Sequence, residues 1–293
     1  MELIHNNYLR GSGHGANWQV AVDPPTRPVK SYYEEVCIAA EMVWAQKLGT
    51  MYVSLSGGLD SEFVLAVLLS LKMNAVPVIM RTQYNHPETA YAFKFCEKNN
   101  LTPVVFDLDY DNFVKSGKVL EYCNLMKCSV PWHASNAWVI QQLDGTVLTG
   151  NDPPHMKKKE DGLWYLDEEE HIHSQLRGFR KNNIHGTPYL LSYTPETMYA
   201  FLTHPTMVTL ANDRLPGKTG TNSSKIRVFN TNKGKFTLEQ RIKKSGYELI
   251  ENSDIKNHPD IQTVWSWNHW RGSSDHQYHE LIKTLSAGKT SIQ

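Results

Sequence analysis

Cysteine is scarce in this sequence: Cys37, Cys96, Cys123 and Cys128 are the only four in 293 residues. They form neither a Cys-x-x-Cys pair nor a secreted disulfide framework, so reduced thiols and a cytoplasmic setting are expected. Net charge is absent as well, with 30 Lys and Arg against 30 Asp and Glu. That removes any global pull toward nucleic acid or membrane. The longest apolar runs fall well short of the ~20 residues that cross a bilayer. The opening Met1-Glu2-Leu3-Ile4-His5-Asn6-Asn7 has neither the basic nor the apolar region of a signal peptide. No segment repeats. The remaining composition, 40% hydrophobic and 11% aromatic, is that of a globular protein. The length allows one large domain or two modest ones.

Residues 1–30 are rich in Gly, Asn and Pro and read as an irregular arm, with a short strand at Trp18 to Val22. The run Gly11-Ser12-Gly13-His14-Gly15 has no framing strand and helix, so it reads as a flexible turn and not as a phosphate loop. Ser31 and Glu34 form a capping-box pair for a helix reaching Lys47. A strand (Met51 to Leu55), a strongly apolar helix (Glu62 to Lys72) and a second strand (Ala75 to Met80) follow. Then come a helix (Pro87 to Asn99), a third strand (Pro103 to Leu108), a helix including Ala134 to Leu143, and a fourth strand (Thr146 to Thr149). This alternation predicts an α/β fold built on a parallel sheet. Residues 31–155 are expected to form that domain. Residues 156–293 are expected to form a smaller, mainly helical substrate or lid region, with a helix at Pro195 to Leu202.

The chemistry concentrates where the first strand turns into its helix: Ser56-Gly57-Gly58-Leu59-Asp60-Ser61. Free N–H groups at a helix start, and the positive end of its dipole, make such a turn an anion site. Two glycines let a phosphate reach the backbone, and Ser56 and Ser61 add hydroxyls. Asp60 would repel a bare phosphate unless Mg²⁺ lay between them. The segment lacks the Gly-x-x-x-x-Gly-Lys-Ser/Thr of a Walker loop. It resembles the PP-loop of the ATP pyrophosphatases, which split ATP between the α- and β-phosphates.

In open α/β sheets ligands bind at the carboxyl ends of the strands. The second strand ends at Arg81-Thr82, followed by Tyr84-Asn85-His86-Pro87-Glu88; the fourth runs into Thr149-Gly150-Asn151-Asp152. In this order the segments look like the synthetase domain of the asparagine synthetase family, which includes the β-lactam synthetases. The likeness covers residues 31–155. The Gly150 segment departs from the family's Ser-Gly-Glu-Gly-Ala-Asp-Glu by lacking its Glu and its second acidic residue.

The resemblance implies an ATP- and Mg²⁺-dependent ligase that activates a carboxylate as its adenylate and passes it to an amine. By that mapping Ser56, Gly57, Gly58, Leu59, Ser61 and Gly150 hold the nucleotide. Asp60 and Asp152 bind Mg²⁺, backbone around Arg81 and Thr82 reads adenine, and Glu88 manages the proton of the amine. A cation must clamp the phosphorus; Lys218, Lys225 and Arg227 are candidates, and Lys218, between Gly217 and Gly220, is selected. With no glutaminase domain, the nitrogen is expected as free ammonia, as a substrate amine, or from a partner.

Residues 213–244 carry nine Lys or Arg against Asp213 and Glu239. This basic stretch supports a second expectation, a PP-loop enzyme that modifies a nucleic-acid base. A non-catalytic adenine-nucleotide module is the third, no membrane partner is expected, and a homodimer is left open. Trp265, Trp267 and Trp270 read as core of a helical region, and His171 and His173 as a solvated surface. Cys123 and Cys128 do not match the cysteines of thiolating PP-loop enzymes, and no cysteine lies late enough for a sulfonucleotide reductase.

Overall fold

The computed structural model describes residues 9–12, 19–22, 24–151, 153, 155–158, 164–213, 221–232, 234–239, 241, 246–267 and 273–276. Asp152, Lys218, His269, Trp270 and Arg271 lie outside the described residues.

A hairpin of β1 (Leu9–Ser12) and β2 (Gln19–Val22) precedes the first helix, so the start of the Gly11 run is strand. Helix α1 (Tyr32–Ala45) opens with the Ser31 N–H donating to Glu34 Oε2 at 3.2 Å. Then come β3 (Thr50–Ser54), α2 (Leu59–Ser70), β4 (Ala75–Arg81), α3 (His86–Lys98) and β5 (Val104–Asp107). Helices α4 (Tyr110–Lys115), α5 (Lys118–Met126) and α6 (Pro131–Gln141) lead to β6 (Gly145–Thr149). Beyond it lie β7 (His155–Lys158), β8 (Trp164–Glu169), α7 (Glu170–Lys181) and β9 (His185–Thr187). The described elements after these are α8 (Pro195–Leu202), α9 (Pro205–Asp213), α10 (Thr221–Phe229), α11 (Tyr247–Glu251), α12 (Pro259–Ser266) and β10 (Ser273–His276).

Five strands form one parallel sheet in the order β5-β4-β3-β6-β9. The chain builds outward from β3 through β4 and β5, then crosses to the other side of β3 for β6. The strand order therefore reverses between β3 and β6, which leaves a crevice at their carboxyl ends. The expected α/β class with a parallel sheet is the observed one. The fifth strand, β9, was not anticipated. A second, antiparallel sheet (β7, β8, β10) includes Lys157, Lys158, Glu168 and Glu169.

Side chains alternate across β3 and fix which helices cover which face. Met51 and Val53 join the larger core with α1, α2, α8 and α10, while Tyr52 turns to Val147 and Phe179 on the other face. Helix α2 is apolar nearly all round (Phe63, Val64, Leu65, Val67 and Leu68 are buried), as a helix enclosed between layers must be. Phe63 stacks on Phe229 of α10, with centroids 4.2 Å apart and planes 2° from parallel, and on Tyr32 at 5.9 Å. Each such ring contributes about 1.5–3 kcal/mol on burial. This stack docks α10 beside the start of α2. A separate core joins α4, α5 and α6 to α11 and α12, with Trp132 stacked on Tyr247 at 4.3 Å. Trp265 and Trp267 pack against that core, consistent with the structural reading of the Trp stretch.

Candidate functional site

The turn between β3 and α2 is held from three sides. Leu55 N–H still bonds to Val78 O of β4 at 2.8 Å, which extends the strand to the edge of the loop. Gly57 has φ +94, and a Cβ there would sit 2.0 Å from the Glu88 carbonyl oxygen of α3. Only glycine satisfies both the positive φ and that approach. Gly150, at the end of β6, packs so tightly on the first turn of α2 that a Cβ would lie 2.4 Å from Ser61 N. Glycines thus bring α3 and β6 against the loop.

The hydroxyls finish its shape. Gly58 N–H donates to Ser56 Oγ at 3.1 Å, Ser56 N–H donates to Ser61 Oγ at 3.3 Å, and Ser61 Oγ–H donates to Gly58 O at 3.2 Å. Gly58 is the N-cap of α2, so the first-turn N–H groups after it lack intrahelical acceptors and face the crevice end of the sheet. The sequence-predicted group Ser56, Gly57, Gly58, Leu59, Asp60, Ser61 and Gly150 is brought together in one place.

Two basic residues from the C-terminal half reach this loop. Lys225, one turn before Phe229 on α10, is 3% exposed and lies 3.4 Å from Asp60 Oδ2. The i, i+4 spacing puts Lys225 and Phe229 on one face of α10, so the aromatic stack that docks the helix also aims the ammonium. Arg241 pairs with Glu62 at 2.5 Å, with the two side chains 6% and 9% exposed. Its Nη1 also donates to Gly57 O at 2.7 Å, and its guanidinium lies 4.9 Å from the Tyr91 ring centre. Burial pushes the Glu62 carboxyl up, against the pull of Arg241.

Arg241 therefore grips the one peptide whose positive φ shapes the loop. Arg241→Ala is expected to lower stability by roughly 3–5 kcal/mol, because it leaves the Glu62 carboxylate buried without its partner. The urea unfolding midpoint checks it.

Glu88 sits in the first turn of α3, and its Oε1 comes within 3.5 Å of where a Gly58 Cβ would be. Burial, with the Glu88 charge added to it, drives the Tyr247 hydroxyl up. The Arg81 side chain turns outward into an exposed ion pair with Asp107. Thr82 N–H donates to Asn85 Oδ1 at 2.8 Å, and Asn85 Nδ2 donates to Met80 O at 2.9 Å. Asn85 thus already engages the backbone edge expected to read adenine. Arg227 is exposed, whereas Lys225 and Arg241 of the same basic stretch turn inward to carboxylates of α2.

Two cavities meet at the loop, and Ser54 and Ser56 line both. The larger, about 120 Å³, extends under α6 and α7 past Asn136, Asn151, Gln175 and Phe179. The smaller, about 50 Å³, lies over the ends of β3 and β4 beside Thr82, Tyr84, Glu88, Tyr110 and Tyr247. Among the described residues no group of three or more His, Cys, Asp or Glu is placed to hold a metal, and no helix is long and apolar enough to cross a membrane. Glu62, Arg241, Asn151, Gln175 and Tyr247 are site residues that sequence reasoning missed. Arg241 was visible only as one charge in a basic stretch.

No family model and no curated protein matches the chain. Among solved structures it is similar to a predicted subunit of a tRNA methyltransferase from Methanocaldococcus jannaschii. That match has 15% identity and a TM-score of 0.33, and covers 66% of this chain and 94% of that one. It is also similar to NMN synthetase from Francisella tularensis, at 12% identity and a TM-score of 0.36, covering 81% and 93%. At TM-scores this low neither likeness bears on the reading of the site.

Proposed function

We propose that this chain is an ATP-using PP-loop enzyme that releases AMP and pyrophosphate, activating an acceptor oxygen for displacement by a nitrogen nucleophile. The observation that carries the reading is the Ser56–Ser61 anion loop at the point of sheet reversal, with Asp60 and the buried Lys225 beside it. Loop N–H groups and the hydroxyls of Ser56 and Ser61 would hold the pyrophosphate portion of ATP. Lys225 would offset the charge that builds on it as it leaves.

Asp60 has the hard oxygen ligands Mg²⁺ takes, and with phosphate oxygens it would bind that ion, which supplies charge neutralisation. Asp152 remains a proposed second ligand, and Lys218 a proposed second clamp.

The acceptor oxygen attacks the α-phosphorus, and the α–β bridging P–O bond breaks with its electron pair leaving on pyrophosphate. The nitrogen nucleophile then attacks the acceptor carbon, the C–O bond to AMP breaks, and Glu88 would take the proton released by nitrogen. A carboxylate or an amide-type carbonyl can each supply that oxygen. The first gives the ligase of the asparagine synthetase resemblance, and the second a base-modifying enzyme.

The test is incubation with ATP and Mg²⁺ in a metabolite extract. AMP and pyrophosphate in equal amounts are expected. ADP and phosphate, or ATP bound without turnover, would sink the reading and leave an adenine-nucleotide sensor.

A further inference from the structure

The larger cavity shares Ser56 and Ser61 with the anion loop, so a molecule held there lies next to whatever the loop binds. Its wall has a defined hydrogen-bonding polarity. Asn151 Nδ2 donates to Pro188 O at 2.8 Å and to Gln175 Oε1 at 2.8 Å. A backbone carbonyl can only accept, so the Pro188 contact fixes which end of the Asn151 amide is nitrogen. That nitrogen then requires Gln175 to present its oxygen. Two consequences follow. Asn151 Oδ1 is left as an acceptor and Gln175 Nε2 as a donor, on two residues that line the cavity, with no hydrogen bond to either atom among the described residues.

The other polar groups lining this cavity are hydroxyls, the amide of Asn136 and the imidazole of His133; no Lys, Arg, Asp or Glu is among the described lining residues. Ile140 and Phe179 add apolar lining. A carboxylate taken into such a space would lose hydration while facing no cationic side chain among the described lining residues, which is costly. A neutral group with a carbonyl beside an N–H complements this open donor and acceptor. Its carbonyl accepts from Gln175 Nε2, and its N–H donates to Asn151 Oδ1.

We infer that the acceptor is a neutral molecule carrying a cis-amide or lactam edge, of the kind a pyrimidinone or purinone ring presents, and not a carboxylate. This rests on the adenylating reading, and it identifies the activated oxygen as that of an amide-type carbonyl. The same edge is offered by a free nucleoside and by an unpaired base in a single strand.

Equilibrium binding to the intact protein, by calorimetry without ATP, tests it with uridine, inosine and a short oligouridylate against aspartate and glutamate. Binding of a free nucleoside supports a small-molecule acceptor. Binding of the oligouridylate alone supports the same edge presented by a strand. Either should weaken tenfold to a hundredfold in Gln175→Glu and in the uncharged Gln175→Met, because a donor buried against the ligand is lost. Carboxylates binding as well as the lactams, no binding by any probe, or unchanged affinity in both variants would overturn the inference. The two failures are distinguishable: ATP left uncleaved by a protein that still binds the lactam sinks the adenylating reading, whereas AMP and pyrophosphate formed by a protein that binds none of the lactams sinks the acceptor assignment alone.

Discussion

Asp60→Ala is expected to lower AMP-forming turnover by about three orders of magnitude, the scale on which groups facing transition-state charge act. The side chain has two roles that the experiment must separate. It would bind Mg²⁺ against the phosphates, and it pairs with Lys225, whose side chain is only 3% exposed. Removing one member of a buried pair costs as much as roughly 3–5 kcal/mol of stability. Asp60 is itself 18% exposed, so water screens part of this and the lower end applies. A loss of activity in the single variant therefore mixes chemistry with a weaker fold. The double variant, Asp60→Ala with Lys225→Met, removes both charges. It is expected to recover most of the unfolding midpoint in urea while turnover stays at or below that of the single variant, because the Lys225 charge is lost as well. If activity returned with stability, Asp60 would be a structural partner of Lys225 and nothing more. If Asp60→Ala alone kept its turnover, the loop would not be the site of ATP cleavage.

The parts of this arrangement that the sequence displays are those set by neighbours along the chain. The apolar run to Leu55, the glycines, and the apolar helix from Leu59 follow one another directly, so strand, loop and helix could be read together. Helix α8 (Pro195–Leu202) was legible to the residue, because Thr194 caps it through Thr197 N–H at 3.1 Å and Pro195 opens it. Strand β9 was not legible. It is three residues, His-Gly-Thr, with Gly186 at φ +139 pressed against Val147 O where a Cβ would sit 1.9 Å away. A strand that short has no alternation to read, and its identity comes from pairing with β6. The long-range partners were equally hidden. Glu62 and Arg241 are 179 positions apart, and nothing local distinguishes Arg241 from the other cations near it. Lys218 stands out in the sequence because glycines flank it, a loop signature. The placement of Lys225 is visible only in the fold: it shares a helix face with Phe229, and Phe229 stacks on the helix that carries Asp60.

The two adjacent glycines of the loop are expected to respond differently to the same added methyl group. Gly57→Ala should abolish ATP binding and destabilise the protein. The left-handed backbone alone costs an L-residue about 1–2 kcal/mol. In addition, the new Cβ would fall 2.0 Å from the Glu88 carbonyl oxygen and 2.8 Å from its carbon, both backbone atoms of α3 that cannot swing aside. Either α3 moves off the loop or the peptide turns over, and a turned peptide takes its carbonyl away from Arg241. Gly58 is different. Its φ of −72 suits any residue, and a Cβ would meet only the Ser56 hydroxyl at 3.2 Å and Glu88 Oε1 at 3.5 Å, both side-chain atoms able to shift. Gly58→Ala should therefore fold with little loss of stability, since an N-cap tolerates the change at a cost of about 1 kcal/mol. Its affinity for ATP should nevertheless fall, because the methyl group occupies the space through which a phosphate approaches the backbone. Thermal unfolding and ATP binding measured on both variants give four numbers. A loop that is a mere strand–helix link would lose stability in Gly57→Ala and show no change of any kind in Gly58→Ala beyond the cap. A phosphate cradle loses ATP binding in both, and only in the first does the fold suffer as well.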